Sequence, residues 1–229
     1  MFSPFGFMGT QAGGGTPSNP VTSNLVFEAS FGPGQSYSGT GTTITDLSTY
    51  GITGTFNSGT YNSNRYMTFV QANTDAISFS GTFSQLGFTT EWTIFAYIKL
   101  DSTDSAYLVE KSFSPGLDQL SLVANYDSGA VRPWKTSYHS MPALSIGTTL
   151  ASVAFTKDAN GVANNYKSYK DGSNVATISS DFTLSTNTSG VLFNPNQDEG
   201  DWSCYNFMYY DRALSAAEVT SLHNYVTSY

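Results

Sequence analysis

Asp211-Arg212-Ala213-Leu214-Ser215-Ala216-Ala217-Glu218-Val219 stands near the end of the chain, where a long series of strand-like segments gives way to a helix. Ser215 and Glu218 have capping-box spacing: the serine hydroxyl accepts from the backbone N–H three residues on, and the glutamate reaches back to the serine's own N–H. Leu214 and Val219 flank the box as a hydrophobic staple, and Val219, Leu222, His223 and Val226 continue one helical face. A single short helix closing a chain otherwise patterned as strands predicts an all-β fold.

Working back from the helix, short runs rich in β-branched and aromatic residues recur between clusters of Gly, Asn, Asp and Ser, as in a β-sandwich. The clearest is Thr90-Glu91-Trp92-Thr93-Ile94-Phe95-Ala96-Tyr97-Ile98-Lys99-Leu100, in which Trp92, Ile94, Ala96, Ile98 and Leu100 alternate onto one face. Further strands are predicted near residues 24–30, 65–69, 76–80, 107–111, 120–125, 150–157, 163–170, 175–179, 191–194 and 204–210. Lys170-Asp171-Gly172-Ser173 reads as a tight hairpin, since Gly172 admits positive φ. At 229 residues the chain fits one main domain.

Charged residues make up 11% of the chain, against about 25% in ordinary soluble proteins, so its surface is rich in hydroxyls and amides. A net charge of −8 without a Lys/Arg cluster repels phosphate backbones and excludes nucleic acid as a partner. No stretch approaches the roughly 20 apolar residues of a membrane-spanning helix. Cys204, the only cysteine, has no internal disulfide partner and reads as a small buried hydrophobe.

The chain opens Met1-Phe2-Ser3-Pro4-Phe5-Gly6-Phe7-Met8-Gly9, apolar but interrupted by Pro and Gly and lacking the positive flank of a signal peptide. A Gly/Pro/Ser-rich stretch follows to residue 23. Residues 1–23 are therefore read as an apolar anchoring arm and linker, with Phe2, Phe5, Phe7 and Met8 as docking residues, and residues 24–229 as the folded domain. A surface of extracellular character with neither export signal nor disulfides fits a virion component made in the host cytoplasm.

Four segments, in order, carry a resemblance. They are Leu25-Val26-Phe27 with Tyr37-Ser38-Gly39-Thr40-Gly41-Thr42-Thr43 leading to Asp46-Leu47-Ser48; residues 51–55; Tyr169-Lys170-Asp171-Gly172; and Tyr210-Asp211-Arg212-Ala213-Leu214-Ser215 with Glu218. Together they resemble the laminin-G-like, concanavalin A-like jelly-roll domains of phage and bacterial surface proteins. The resemblance implies a two-sheet antiparallel jelly-roll sandwich with one short C-terminal helix, here preceded by the extended N-terminal arm. Where many members have Phe-Asp-Gly and an acidic-aromatic pair, this chain has Phe69-Val70-Gln71-Ala72-Asn73-Thr74-Asp75-Ala76-Ile77, in which only Phe69 and Asp75 match. That departure counts against the calcium site some members carry.

Glycoside hydrolases of this fold need two carboxylates facing one groove, usually at alternating positions of a strand, and no such run occurs. His139 and His223 are far apart and lack zinc-site spacing; His223, on the helix, reads as a packed structural histidine. The acidic loop holding Asp198, Glu199 and Asp201 supplies hard oxygen ligands of the type calcium takes, without EF-hand spacing, and is otherwise a solvated loop. No other cofactor is indicated. Trp134, Tyr138 and His139 offer flat faces amid polar groups, the chemistry of a sugar site.

The expectation is a non-enzymatic virion structural protein: a capsid decoration, spike or tail-fibre component displayed at the virion surface. The arm joins it to other virion proteins, in multiple or homo-oligomeric copies, and the jelly roll binds host surface glycans. The alternative is a secreted carbohydrate-binding module or glycoside hydrolase.

Overall fold

The structure is a computed structural model that describes residues 18–32, 36–62, 65–70, 75–80, 91–101, 106–111, 121–125, 130–134, 144–179, 191–193 and 201–228. Its strands are β1 (Leu25–Ser30), β2 (Thr43–Thr45), β3 (Thr53–Ser58), β4 (Thr60–Asn62), β5 (Tyr66–Phe69), β6 (Ala76–Ser80), β7 (Trp92–Leu100) and β8 (Ala106–Lys111). Next come β9 (Ser121–Asn125), β10 (Ala130–Trp134), β11 (Leu144–Ser145), β12 (Ala151–Lys157), β13 (Tyr166–Lys170), β14 (Ser173–Ile178), β15 (Val191–Phe193) and β16 (Trp202–Tyr210), then the helix α1 (Ala216–Thr227). One antiparallel sheet runs β14-β13-β12-β7-β16-β5-β4, with β1 also paired to β16; the other runs β11-β10-β9-β8-β15-β6-β3-β2. The result is the two-sheet sandwich with one C-terminal helix that the sequence predicts.

The alternation in β7 decides where the core lies. Trp92, Ile94, Ala96, Ile98 and Leu100 are all buried between the sheets, beside Val153 and Phe155 of β12, Phe207 and Tyr209 of β16, and Ile44, Ile77 and Leu144 from the second sheet. Each such side chain contributes about 1.5–3 kcal/mol by leaving water. Phe95 points the other way. With Ala154, Tyr169, Met208 and Tyr210 it forms a second core, covered by Val219, Leu222, Tyr225 and Val226 of α1.

The central strand β16 holds an irregularity. Cys204 pairs with Ile98 and Asn206 with Tyr97, so Tyr205 is an extra residue, a β-bulge. A one-residue insertion exchanges the two faces of everything beyond it. Trp202 and Cys204 face the inter-sheet core before the bulge, and Phe207 and Tyr209 face it after. The far edge of β16 changes partner at the same point: β5 pairs with Trp202, Ser203 and Cys204, and β1 with residues from Asn206 to Tyr210. The carbonyl of Tyr205 is taken by the Phe31 N–H at 3.0 Å.

The capping box forms as the sequence predicts. The Ser215 Oγ accepts from Glu218 N at 3.3 Å and the Ser215 N–H donates to Glu218 Oε2 at 2.8 Å. Arg212 adds a fork on the same carboxylate, at 3.0 and 2.6 Å, and holds the Glu218 carboxyl down to about 2, helped by the Ser215 backbone and hydroxyl. The helix is fixed to the sheet by His223 Nδ1 against Ser152 Oγ at 2.9 Å and by the Thr220 hydroxyl on the Gly172 carbonyl. The turn between β13 and β14 takes positive φ at both Asp171 (49°) and Gly172 (76°). A Cβ on Gly172 would stand 3.3 Å from Thr220 Cα, so this glycine also lets the helix approach.

The described part of the segment read as linker lies on the sandwich. Val21 is buried in the second core, Asn19 Nδ2 donates to Glu28 Oε2 at 3.0 Å, and the Tyr210 hydroxyl donates to the Val21 carbonyl. Glu28 also accepts from the Tyr225 hydroxyl at 3.3 Å, so one carboxylate clasps chain start and terminal helix together. Described sheet edges are short or bulged: β2 and β4 have three residues, β11 two, and β14 is bulged at Val175, between the partners of Ser168 and Tyr169. Such edges resist edge-to-edge pairing.

Two measurements check this account. A depressed carboxylate contributes stability above its unfolded pKa and loses it as pH falls through the folded one. Glu218→Gln therefore costs about 1 kcal/mol at pH 7, seen as a melting temperature lower by roughly 2–4 °C, and the two melts converge as the pH falls from about 4.5 to 2. Deleting Tyr205 takes out the extra residue and leaves the pairs from Asn206 to Tyr210 in register, so that variant folds with a regular β16, whereas inserting one alanine between Phe207 and Met208 turns Met208, Tyr209 and Tyr210 inside out and yields no soluble folded protein; circular dichroism of the two variants reads the difference.

Candidate functional site

At the bulge the first sheet opens on its helix side. β5 has ended on one side of Tyr205 and β1 ends on the other, leaving a cleft of about 150 Å³ with Tyr97, Tyr205 and Asn206 inside and Val226 and Thr227 of α1 along one wall. Ser30 and Arg65 complete its polar lining. The volume is below the ~300–1,000 Å³ of drug-sized sites, and it suits one ring of a larger ligand.

Tyr205 stacks on Tyr66 with ring centroids 4.8 Å apart and meets Tyr97 at 5.4 Å and 58°. Burial pushes the Tyr205 hydroxyl up in pKa, reinforced by Tyr66, Tyr97 and Asp101; burial, then Asp171, does the same at Tyr97. Both phenols therefore stay protonated and can donate at neutral pH. Asn206 is 3% exposed, and its Nδ2 is buried without a hydrogen-bond partner. An amide left so costs about 1–3 kcal/mol, and a polar ligand group reaching it recovers part of that.

Arg65 enters from the turn between β4 and β5 with φ of +81°, its N–H on the Asn62 carbonyl. Holding a non-glycine residue there costs about 1–3 kcal/mol, and such strain gathers at functional sites. Beside the cleft runs a polar strip on the same face. The Ser203 hydroxyl donates to Asp101 Oδ2 at 2.6 Å and meets Thr68 Oγ1 at 3.2 Å, and Lys99 pairs with the other Asp101 oxygen. That pair is half open to water and worth at most about 1 kcal/mol.

Of the residues singled out in the sequence, Trp134 ends β10 in the second sheet, opposite Ser121, so it belongs to the other sheet from the cleft. Tyr138, His139, Asp198, Glu199 and the arm residues Phe2, Phe5, Phe7 and Met8 lie outside the described residues. Asp201 is half-buried, and its carbonyl accepts from the Asp101 N–H at 2.9 Å. Among the described residues no group of three His, Cys, Asp or Glu side chains is placed to hold a metal, and no helix is long and apolar enough to cross a membrane. Cys204 is buried. Ser152, His223 and Asp171 come together, but not as a nucleophilic triad: Ser152 is 1% exposed, and Asp171 accepts from the Ser152 backbone.

Tyr205 and Asn206 carried a signal that the periodicity reading passed over. In Trp202-Ser203-Cys204-Tyr205-Asn206-Phe207-Met208-Tyr209, the core-facing set changes parity between Cys204 and Phe207, which a strand can do only through a bulge.

No family model matches this sequence, and no curated protein matches it. Among solved structures it is similar to Trypanosoma rangeli sialidase in complex with sialic acid, with TM-score 0.63 and 16% identity over 89% of this chain and 33% of that one. It is also similar to the binding domain of Paraclostridial Mosquitocidal Protein 1, with TM-score 0.62 and 17% identity over 89% of this chain and 52% of that one. The botulinum neurotoxin serotype D binding domain gives 0.67 and 12% over 90% and 53%. The chain thus spans from a third to about half of these proteins. The likeness is one of fold: a two-sheet β-sandwich.

Arg65→Gly relieves the left-handed backbone and is expected to raise stability by about 1 kcal/mol, measured as a higher urea midpoint at unchanged slope.

Proposed function

We propose that this chain is a non-enzymatic, glycan-binding virion surface protein whose sandwich takes one sugar ring in the cleft at the Tyr205 bulge. The observation that carries the binding half is the conjunction of two aromatic phenols with the unpartnered Asn206 amide in a ring-sized cleft. A pyranose offers an apolar face to aromatic rings and hydroxyls to such polar groups. Two of the similar structures are named as binding domains and a third is a sialidase with bound sialic acid, which supports carbohydrate as the ligand class. The described cleft lining carries no carboxylate, whereas glycoside hydrolysis commonly uses a pair, and this favours binding over catalysis.

The structural half rests on the sequence. Residues 1–23 supply the arm, whose end at residues 18–23 is seated on the sandwich, with Phe2, Phe5, Phe7 and Met8 docking on capsid or tail proteins, and residues 24–229 form the displayed domain. The −8 charge and hydroxyl-rich surface suit a soluble module at high copy number. Many copies also compensate a weak single-ring site through avidity.

On an array of neutral and acidic glycans the wild-type chain is expected to give a signal that Tyr205→Ala and Asn206→Ala each reduce at least about tenfold, the loss of one good aromatic or hydrogen-bond contact. Trp134→Ala tests the other sugar site read from the sequence; loss there with Tyr205→Ala unaffected moves the site to the second sheet. Deleting residues 1–17, which spares the Asn19 contact, is expected to abolish incorporation into purified virions while leaving array binding intact. Absence of the wild-type protein from virion mass spectra overturns the structural half alone.

A further inference from the structure

The last turn of α1 stands between two openings. On one side Val226 and Thr227 wall the cleft. On the other, Asn224, Tyr225 and Ser228 line a shallow groove with Ser18 and Pro20 of the chain start. Glu28 helps hold that turn down, beside the burial of Tyr225 and Val226: it receives Tyr225 on one oxygen and Asn19 on the other. Two residues further along β1, on the same face, Ser30 lines the cleft.

We propose that Glu28 is a positioning residue for the cleft: by clasping Asn19 and Tyr225 together it sets the last turn of α1, and with it the wall made by Val226 and Thr227. Chain start and ligand site are then coupled, and seating of residues 18–21 preorganises the cleft. The coupling is reciprocal, so a ligand in the cleft tightens the chain start as well. The role rests on the cleft being the ligand site proposed above.

Glu28 is an unusual residue to spend on fold alone. Burial is the main cause that pushes its carboxyl above the ordinary range, with Asp46 adding to it and the bonds from Asn19 and Tyr225 opposing. A raised carboxylate contributes stability that is present below its unfolded pKa and lost as pH rises through the folded one. The ionised form is therefore not held for global stability at neutral pH. It supplies one acceptor oxygen to each donor, where glutamine supplies a single oxygen and presents an NH2 to the other partner, so that the Tyr225 bond is kept only if the hydroxyl turns round to accept. The groups facing Glu28 are Asn19, Asp46 from the segment between β2 and β3, Tyr210 from β16 and Tyr225 from α1; Arg212 and Glu218 reach it through Tyr210.

Full-length wild type, Glu28→Gln and Asn19→Ala test the role by hydrogen exchange and by titration with lactose and 3′-sialyllactose as neutral and acidic probes. The expected result is Glu28→Gln melting at or above wild type at pH 7, with faster amide exchange in the last turn of α1 in both variants. For whichever probe wild type binds, affinity falls about fivefold in both variants. Wild-type affinity also falls as pH drops through the raised Glu28 pKa, while Glu28→Gln shows no such fall. Unchanged exchange in the last turn overturns the proposal, as does unchanged affinity in both variants beside a Tyr205→Ala control that has lost it. If wild type binds neither probe, the ligand reading is what fails, and the exchange result alone decides the clasp; should Glu28→Gln not fold, Asn19→Ala carries both readouts.

Discussion

One extra residue in the central strand is the constraint on which this molecule turns. β16 is flanked along its length by β7 and along its other edge by β5 and then β1. Were Tyr205 paired in a regular pleat, Asn206 and Met208 would turn to the inter-sheet core in place of Phe207 and Tyr209. The same insertion lets a second neighbour take over the edge. The gap at that exchange is the cleft, so the irregularity that reconciles two halves of a core also opens the helix side of the sheet.

The helix side is built to cover rather than to span. α1 buries Val219, Leu222, Tyr225 and Val226 on the back of a sheet whose other face is already packed, giving the layer order sheet, sheet, helix. Because the helix is only 12 residues long, its stability comes from this burial and from its ends more than from propensity. The start is secured by Ser215, Glu218 and Arg212, and the body by His223 and Thr220. Towards the far end the tie is Glu28, which is also the one that reaches the chain start.

The parts legible in the sequence are those governed by short-range rules. The alternation of β7, the capping box of α1 and the Asp171-Gly172 turn each need fewer than a dozen consecutive residues, and all stand as read. The strands β2, β3 and β4 were missed because they are rich in Thr, Gly, Ser and Asn, with Ile44 the only residue of β2 that goes inward. Their pairing comes from neighbours far along the chain, which supply what their own composition does not. The cleft was illegible for the same reason on a larger scale: Ser30, Arg65, Tyr97, Asn206 and Thr227 come from five separated segments, and only the sheet order makes them adjacent.

The clasp at Glu28 has a mechanical meaning. A chain tethered through its first residues passes any pull along residues 18–23 into the bonds of Asn19 and the Val21 carbonyl before load reaches the Leu25–Tyr210 end of β1. Those few polar bonds yield first and can re-form when the tension drops. Behind them β1 is zipped to a nine-residue strand inside the sheet. In a chain loaded from that end the order of rupture would be set by position, with the clasp a resettable fuse in series with the sandwich behind it.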